Sequence, residues 1–201
     1  MRPEPRRHET NDLASRKDSG RAEPGGISRA TTFLMAAACG LIAANLYYAQ
    51  PLVKPISESL GLSPHIAGFL VTMTQIGYGI GLLLIVPLAD LFENRRLILG
   101  VMGLGTLALI AAAFSTHAAT FLPAALCIGI GSCAVQILVP FAAHLAPEAK
   151  RGQVVGNVMS GLMFGIMLAR PIASFITELS SWHVVYFFSI AVMVILGLVL
   201  S

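Results

Sequence analysis

The sequence predicts an all-α membrane protein with six transmembrane helices, and three observations carry that prediction. Of the 201 residues, 56% are hydrophobic and only 11% are charged, whereas soluble domains carry about a quarter charged residues. The apolar residues fall into six runs, each close to the roughly 20 residues that a helix needs to cross about 30 Å of hydrocarbon. These runs do not alternate in polarity as β-barrel strands do, so helices must satisfy the backbone.

The N-terminal arm, residues 1–30, precedes the first apolar run. It is rich in Arg, Glu, Pro, Ser and Gly and has few large apolar residues, so we expect a disordered cytosolic tail. Its charged region is too long for a signal peptide. No aromatic residues are interleaved with its basic ones, which favours a solvated arm over a nucleic-acid-binding segment.

Each predicted span ends at helix-breaking or charged residues. Prolines follow the first span, a charged hinge follows the second, and polar turns separate the others. Residues 31–201 therefore form one six-helix unit. Its spans cover about residues 31–53, 66–89, 97–114, 119–142, 154–175 and 184–200.

Basic residues are distributed unequally between the two sides of the membrane. Seven Lys or Arg lie in the arm, two in the second loop and two in the fourth, against Lys54 alone in the first loop. Because positive residues are retained in the cytoplasm, we predict a cytoplasmic N-terminus and, after six spans, a cytoplasmic C-terminus. The lipid partner would be a plasma membrane, the inner membrane of a bacterium.

Nothing in the sequence indicates catalysis. The three cysteines fall within predicted spans and form no C-x-x-C pair, so we predict neither a disulfide nor a metal site. P-loop, zinc-protease and nucleophile-elbow motifs do not occur in the sequence. We therefore predict no enzyme and no cofactor.

The second predicted span resembles the fifth when the chain is shifted by 88 residues. The shift pairs Gly68 with Gly156, Thr72 with Ser160, Gly77 with Gly165, Gly81 with Ala169, and Asp90 with Glu178. Because the two spans cross in opposite directions, this pairing predicts an inverted repeat of three plus three helices, with Glu178 as the counterpart of Asp90. Chance matches among abundant glycines are the alternative.

Small residues in the spans predict close helix packing, because they let two backbones approach each other. We assign this role to Gly77, Gly81, Gly161, Gly165 and Ala169.

Several motifs together resemble the N-terminal half of a major facilitator superfamily permease, nearest to bacterial sugar-efflux and drug/proton antiporter-like permeases. They are the segments 44–52 (ANLYYAQPL) and 74–79 (TQIGYG), the hinge 86–96 (VPLADLFENRR), and 161–170 followed by Trp182. The resemblance implies half of that fold and efflux of a small solute by secondary transport.

In that family the loop after the second helix carries G-x-x-x-D-[RK]-x-G-[RK]-[RK], which latches the cytoplasmic gate. The resemblance assigns this latch to Asp90, Arg95 and Arg96, although they could serve topology alone. The hinge departs from the pattern at four positions: Val86, Leu91, Glu93 and Asn94. In the fourth helix, the arginine of proton-coupled relatives is replaced by Ala125, so proton coupling is possible but not by that route.

Arg170 is the one basic residue inside a predicted span, and a charge there is expensive unless it is paired or faces water. Asn45 and Gln75 lie at similar depth, and Tyr48 and Tyr78 share their helix faces. We hypothesise one polar cluster of these five residues beside a substrate cavity or its outer gate. Alternatively, Arg170 snorkels outward and the other side chains only join helices.

The chain has half the spans of a complete permease of this kind, so half of the predicted cavity is missing. Three explanations stay open: a truncated or partial sequence, a half-transporter that pairs with a second six-helix half or with itself, and a different membrane protein. The last class includes a non-transporting scaffold or interaction protein.

Overall fold

The structure, a computed structural model, describes residues 28–201, so most of the predicted disordered tail lies outside it. The described residues form helices and no strand, and six segments are long and apolar enough to cross a membrane, as predicted. The helices are α1 Arg29–Ala44, α2 Ala49–Ser59, α3 Pro64–Leu84, α4 Asn94–Ala113, α5 Ala118–Ser132, α6 Ala134–Leu145, α7 Arg151–Leu179 and α8 Trp182–Leu200.

These helices make six spans, of which two are broken. Helices α1 and α2 form span 1, α3 with the 3₁₀ turn Val86–Asp90 forms span 2, and α4 is span 3. Helices α5 and α6 form span 4, α7 with the 3₁₀ turn Glu148–Lys150 forms span 5, and α8 is span 6. Spans 1, 4 and 5, of 31, 28 and 32 residues, run past the predicted ends because a helix continues beyond its apolar stretch into the polar interface.

Span 1 is interrupted near its middle, where residues 45–48 form turns between α1 and α2. Pro51 has no N–H for the carbonyl of Tyr47, which instead accepts from the N–H of Gln50 at 3.2 Å. Span 4 breaks at Cys133, 88 residues after Asn45. The two breaks therefore obey the offset that relates spans 2 and 5, which supports the inverted repeat.

The two most extensive contacts between spans are also related by this repeat. Spans 1 and 4 are the most buried, span 2 packs along span 4, and span 5 packs along span 1. Exchanging the two halves of the repeat converts one of these contacts into the other. Spans 3 and 6 pack against each other, and span 3 also packs on span 4.

Glycines lie at the two closest approaches between spans. A Cβ on Gly77 of span 2 would overlap the carbonyl of Leu126 in span 4, and a Cβ on Gly165 of span 5 would overlap the backbone of Gly40 in span 1. Gly77 and Gly165 are counterparts at the offset of 88. At both contacts the spans can approach this closely only because glycine has no side chain. Two other predicted packing residues lie in the same contacts, Gly81 against Cys133 and Gly161 against Ala36, and Ala169 is buried.

Five of the seven basic residues of the described chain lie at one end of the bundle, the basic end: Arg29, Arg95, Arg96, Lys150 and Arg151. Arg29 and Lys150 line one groove, and Arg95 reaches the last turn of α8, where its Nε donates to the carbonyl of Leu200 at 3.2 Å.

Aromatic side chains join spans 4 and 6 at the opposite end. The ring of Phe121 meets those of Trp182 and Tyr186 edge-on, with centroids 6.0 Å apart in both pairs. Such pairs contribute about 0.5–1.5 kcal/mol each beyond the area that they bury.

Candidate functional site

Spans 2 and 5 are the least buried of the six spans, and the candidate site lies beside them. Only 22% of the apolar window of span 2 and 17% of that of span 5 is buried, against 61% in spans 1 and 4. We call the exposed sides of α3 and α7 the open face. Spans 1 and 4, the central spans, each expose only a narrow strip next to the open face. Tyr47 lies on the strip of span 1 and Gln136 on that of span 4.

The first polar contact beside the open face is the arginine pair, Arg170 of α7 with Tyr47 in the break of span 1. The guanidinium carbon lies 5.8 Å from the centroid of the tyrosine ring, within the range of a cation–π interaction. Arg170 is exposed, about 13 Å along α7 from the end at Leu179. The charge is thus held against an aromatic face within the span.

The second contact is the glutamine pair, in which Nε2 of Gln136 donates to the hydroxyl of Tyr78 at 2.8 Å. It joins span 4, just past its break, to span 2. The repeat exchanges spans 1 and 5 with spans 4 and 2, so the arginine pair and the glutamine pair join equivalent spans, although not at counterpart residues. Gln75 lies one turn before Tyr78 and is exposed.

Asn45 and Tyr48 lie elsewhere. Asn45 is 6% exposed, and its Oδ1 accepts from the hydroxyl of Ser189 in α8 at 2.6 Å. Tyr48 is buried and lies close to the same serine. These two residues share a helix face, as predicted, but that face contacts span 6.

The five residues of the hypothesised cluster are therefore divided between three contacts: Arg170 with Tyr47, Tyr78 with Gln136 beside Gln75, and Asn45 and Tyr48 with Ser189. The cause is the rotation of about 100° between successive helical residues, which directs Tyr47 toward span 5 and Tyr48 toward span 6. Equal depth along the spans gives no information about this rotation.

A groove opens between α1 and α7 at the basic end, with a volume of about 540 Å³. Two cationic side chains and several polar ones line it, and none of the carboxylates in residues 28–201 does. Its lining is Arg29, Thr32, Phe33, Ala36, Lys150, Gln153, Val154, Asn157 and Ser160. This groove was not predicted from the sequence, although Lys150, Gln153, Asn157 and Ser160 recur at helical spacing along one face.

The hinge between spans 2 and 3 does not join Asp90 to an arginine. Arg96 pairs with Glu93 at 2.8 Å, the one ion pair among residues 28–201, while Arg95 bonds to the carbonyl of Leu200. Glu93 occupies the N-cap position of α4, three residues before Arg96, which places its carboxylate within reach of that arginine. Asp90 is exposed at the end of the 3₁₀ turn, and Glu178, its counterpart in the repeat, is exposed near the end of α7.

Metal chemistry has no support in the described part of the chain, where no three His, Cys, Asp or Glu side chains gather into a group that could hold an ion.

Comparison with known proteins agrees with this architecture. The family model of the Major Facilitator Superfamily matches residues 32–201. The uncharacterized transporter YgaY of Escherichia coli is 43% identical over 174 residues, which cover 87% of this chain and 44% of YgaY. The probable transporter SCO4007 of Streptomyces coelicolor is 32% identical over 92% of this chain and 43% of its own length.

A D-xylose transporter of Levilactobacillus brevis is 30% identical over 57% of this chain and 25% of its own length. The chain thus spans less than half the length of the curated relatives that it matches. With six membrane spans in the matched region, it is a multi-pass membrane protein and belongs to the major facilitator superfamily, of whose fold it forms a part.

Proposed function

We propose that the chain is one half of a secondary transporter that exports a small solute, and that it catalyses no chemical reaction and needs no cofactor. The observation that carries this proposal is the position of the arginine and glutamine pairs, each beside the break of a central span. Broken helices at mid-membrane are where transporters bind their substrates. Membership of a family whose relatives are named transporters supports the same role.

The open face would be completed by a second six-helix half, supplied by the rest of a longer protein, a second chain or a second copy. Large apolar side chains on spans 2 and 5 are exposed: Leu83 at 74%, Met167 at 62% and Phe164 at 59%. Alternating access would then arise from rocking of the two halves around the site between them.

Asp90, Arg95 and Arg96 would form the latch of the gate at the basic end. Arg95 holds the last turn of span 6, so a movement of the hinge is transmitted to that span. Asp90 is exposed and could accept hydrogen bonds from the second half when the gate closes.

The proposed location is the bacterial inner membrane with the basic end in the cytoplasm. Cysteines introduced at Thr116, in the third loop, and at Glu93, in the second, test this orientation, since both positions are exposed. In whole cells, a membrane-impermeant maleimide should label Thr116→Cys and leave Glu93→Cys unlabelled. The opposite pattern would reverse the orientation.

The experiment that tests transport is flux into proteoliposomes that contain the purified chain, with and without a pH gradient. D-xylose, a substrate named for one relative, and the efflux probe ethidium serve as neutral and cationic probes, with gluconate as an anion. We expect chain-dependent flux that is lost in the double variant Asp90→Asn, Arg170→Gln. Lys54→Gln, a charge removed outside the site, is the matched control.

Flux that survives the double variant would remove both sites from the mechanism. If no probe moves in any condition, the second function, a non-transporting membrane scaffold, is favoured.

A further inference from the structure

We propose that the ligand of this site is a small organic anion and that the arginine pair binds its carboxylate. This inference rests on the proposed function and names the class of substrate. Three observations support it: no carboxylate of the described chain neutralises Arg170, spans 1 and 5 carry further positive charge, and the glutamine pair is uncharged and polar.

Arg170 carries a full positive charge within a span, where an unpaired charge is costly. The ion pair of Glu93 with Arg96 is the only one in residues 28–201, so no carboxylate of the described chain neutralises Arg170. Its contact is the ring of Tyr47, 5.8 Å away. A guanidinium that lies over a ring keeps N–H donors at its edge, in the fork geometry that matches a carboxylate.

Spans 1 and 5 carry positive charge at two levels, the basic end and Arg170. Arg29 and Lys150 line the groove at the basic end, and Arg170 lies about 30 Å further along span 5. The acidic residues of the described chain lie in loops or near helix ends, and none lines the groove: Glu58, Asp90, Glu93, Glu148 and Glu178. A cleft lined by one sign of charge concentrates ligands of the opposite sign.

The glutamine pair is uncharged and offers an amide and a phenol, which suit the hydroxyl or carbonyl groups of the rest of the ligand. A cationic substrate would require a carboxylate here, and the described spans place none beside either pair. A neutral sugar would be bound by amides and hydroxyls and would leave the charge of Arg170 without a counterion.

The test compares each anion with a neutral analogue of nearly the same shape. The purified full chain is placed in phosphatidylcholine nanodiscs and titrated with gluconate against D-glucose, and with benzoate against benzamide, while the unfolding temperature is followed. This measurement requires neither a second six-helix half nor flux. A negative binding result would therefore reject the anion site without rejecting transport, and an absence of flux would not reject the anion site.

We expect both anions to raise the unfolding temperature and the neutral analogues to leave it unchanged. Arg170→Gln should weaken anion binding about tenfold or more, because a hydrogen bond to a charged group is lost. Tyr47→Leu should weaken it severalfold through the loss of the cation–π contact, and Lys54→Gln should leave it unchanged. Arg170→Lys keeps the charge without the fork and should fall between.

Four results would overturn the proposal. One is equal binding of D-glucose and gluconate, and another is anion binding that survives Arg170→Gln. The third is binding abolished in nanodiscs that contain phosphatidylglycerol, which would assign Arg170 to a lipid phosphate. Absence of any anion response in the wild-type chain would also reject the site, because it was proposed for this chain alone.

Discussion

At the scale of single residues, side chains that are adjacent in sequence have different roles, because one belongs to the candidate site and the next packs inside the bundle. Tyr47 holds the guanidinium of Arg170 beside the open face, whereas Tyr48 and Asn45 meet Ser189 inside the bundle. Burying a polar group in an apolar span is costly unless the group has a hydrogen-bond partner. The hydrogen bond between Ser189 and Asn45 therefore stabilises the bundle. The exposed ion pair of Glu93 and Arg96 contributes little, since solvent screens both side chains.

The first prediction concerns Asn45 and Ser189. Ser189→Ala should destabilise the chain by about 1 kcal/mol, because it leaves the buried Oδ1 of Asn45 without a donor. In a double-mutant cycle with Asn45→Ala, we expect a coupling of about 0.6–1.7 kcal/mol, the range for such bonds in membranes. Thermal unfolding in micelles measures both.

Ser160→Ala is the matched control for this cycle, since that hydroxyl is exposed and bonds only to the carbonyl of Gly156 in its own helix. Additive effects of Asn45→Ala and Ser189→Ala would contradict a direct interaction between them.

At the scale of elements, the two glycine contacts hold spans 2 and 4, and spans 5 and 1, at close range. Gly77→Ala and Gly165→Ala should each destabilise the chain by about 1–3 kcal/mol, because the added methyl overlaps backbone that cannot move aside. Gly79→Ala and Gly156→Ala meet open space and should be neutral or stabilising by up to about 1 kcal/mol. Unfolding midpoints of the four variants compare them directly.

Equal effects at Gly77 and Gly79 would mean that the contact is looser than the structure shows. The matched pair is informative because the two glycines lie on one helix, two residues apart, and differ only in the face on which they lie.

At the scale of the whole molecule, burial is uneven between the spans, and the open face is the side that a second half would cover. A cysteine at Met163, which is 55% exposed on α7, should crosslink to that second half in native membranes. A cysteine at Leu107, 67% exposed on α4, should not, because span 3 lies away from the open face. Oxidative crosslinking in a variant without Cys39, Cys127 and Cys133 provides the measurement.

Equally efficient crosslinking at both positions would indicate non-specific contact between chains. Crosslinking at Leu107 alone would place the interface on the opposite side and remove the support for a shared cavity.

Much of the fold could be predicted from the sequence, because hydropathy and helix-breaking residues determine the number and order of the spans. The shift of 88 residues also indicated the equivalence of spans 2 and 5. The breaks of spans 1 and 4 were not predicted, since apolar composition continues through both. The site was predicted only in part: Arg170, Gln75 and Tyr78 lie beside the open face, but Tyr47 was missed, because depth along a span does not reveal the rotation of its side chains.

The aromatic contact of Phe121, Trp182 and Tyr186 gives this protein an optical probe of its own. Trp182 is the only tryptophan of the chain and is 4% exposed, with the imidazole of His183 stacked on it at 3.6 Å. Its fluorescence therefore comes from one place, the junction of spans 4 and 6, and shifts to longer wavelength if water reaches the indole. Any movement that separates these two spans becomes visible in the unlabelled protein.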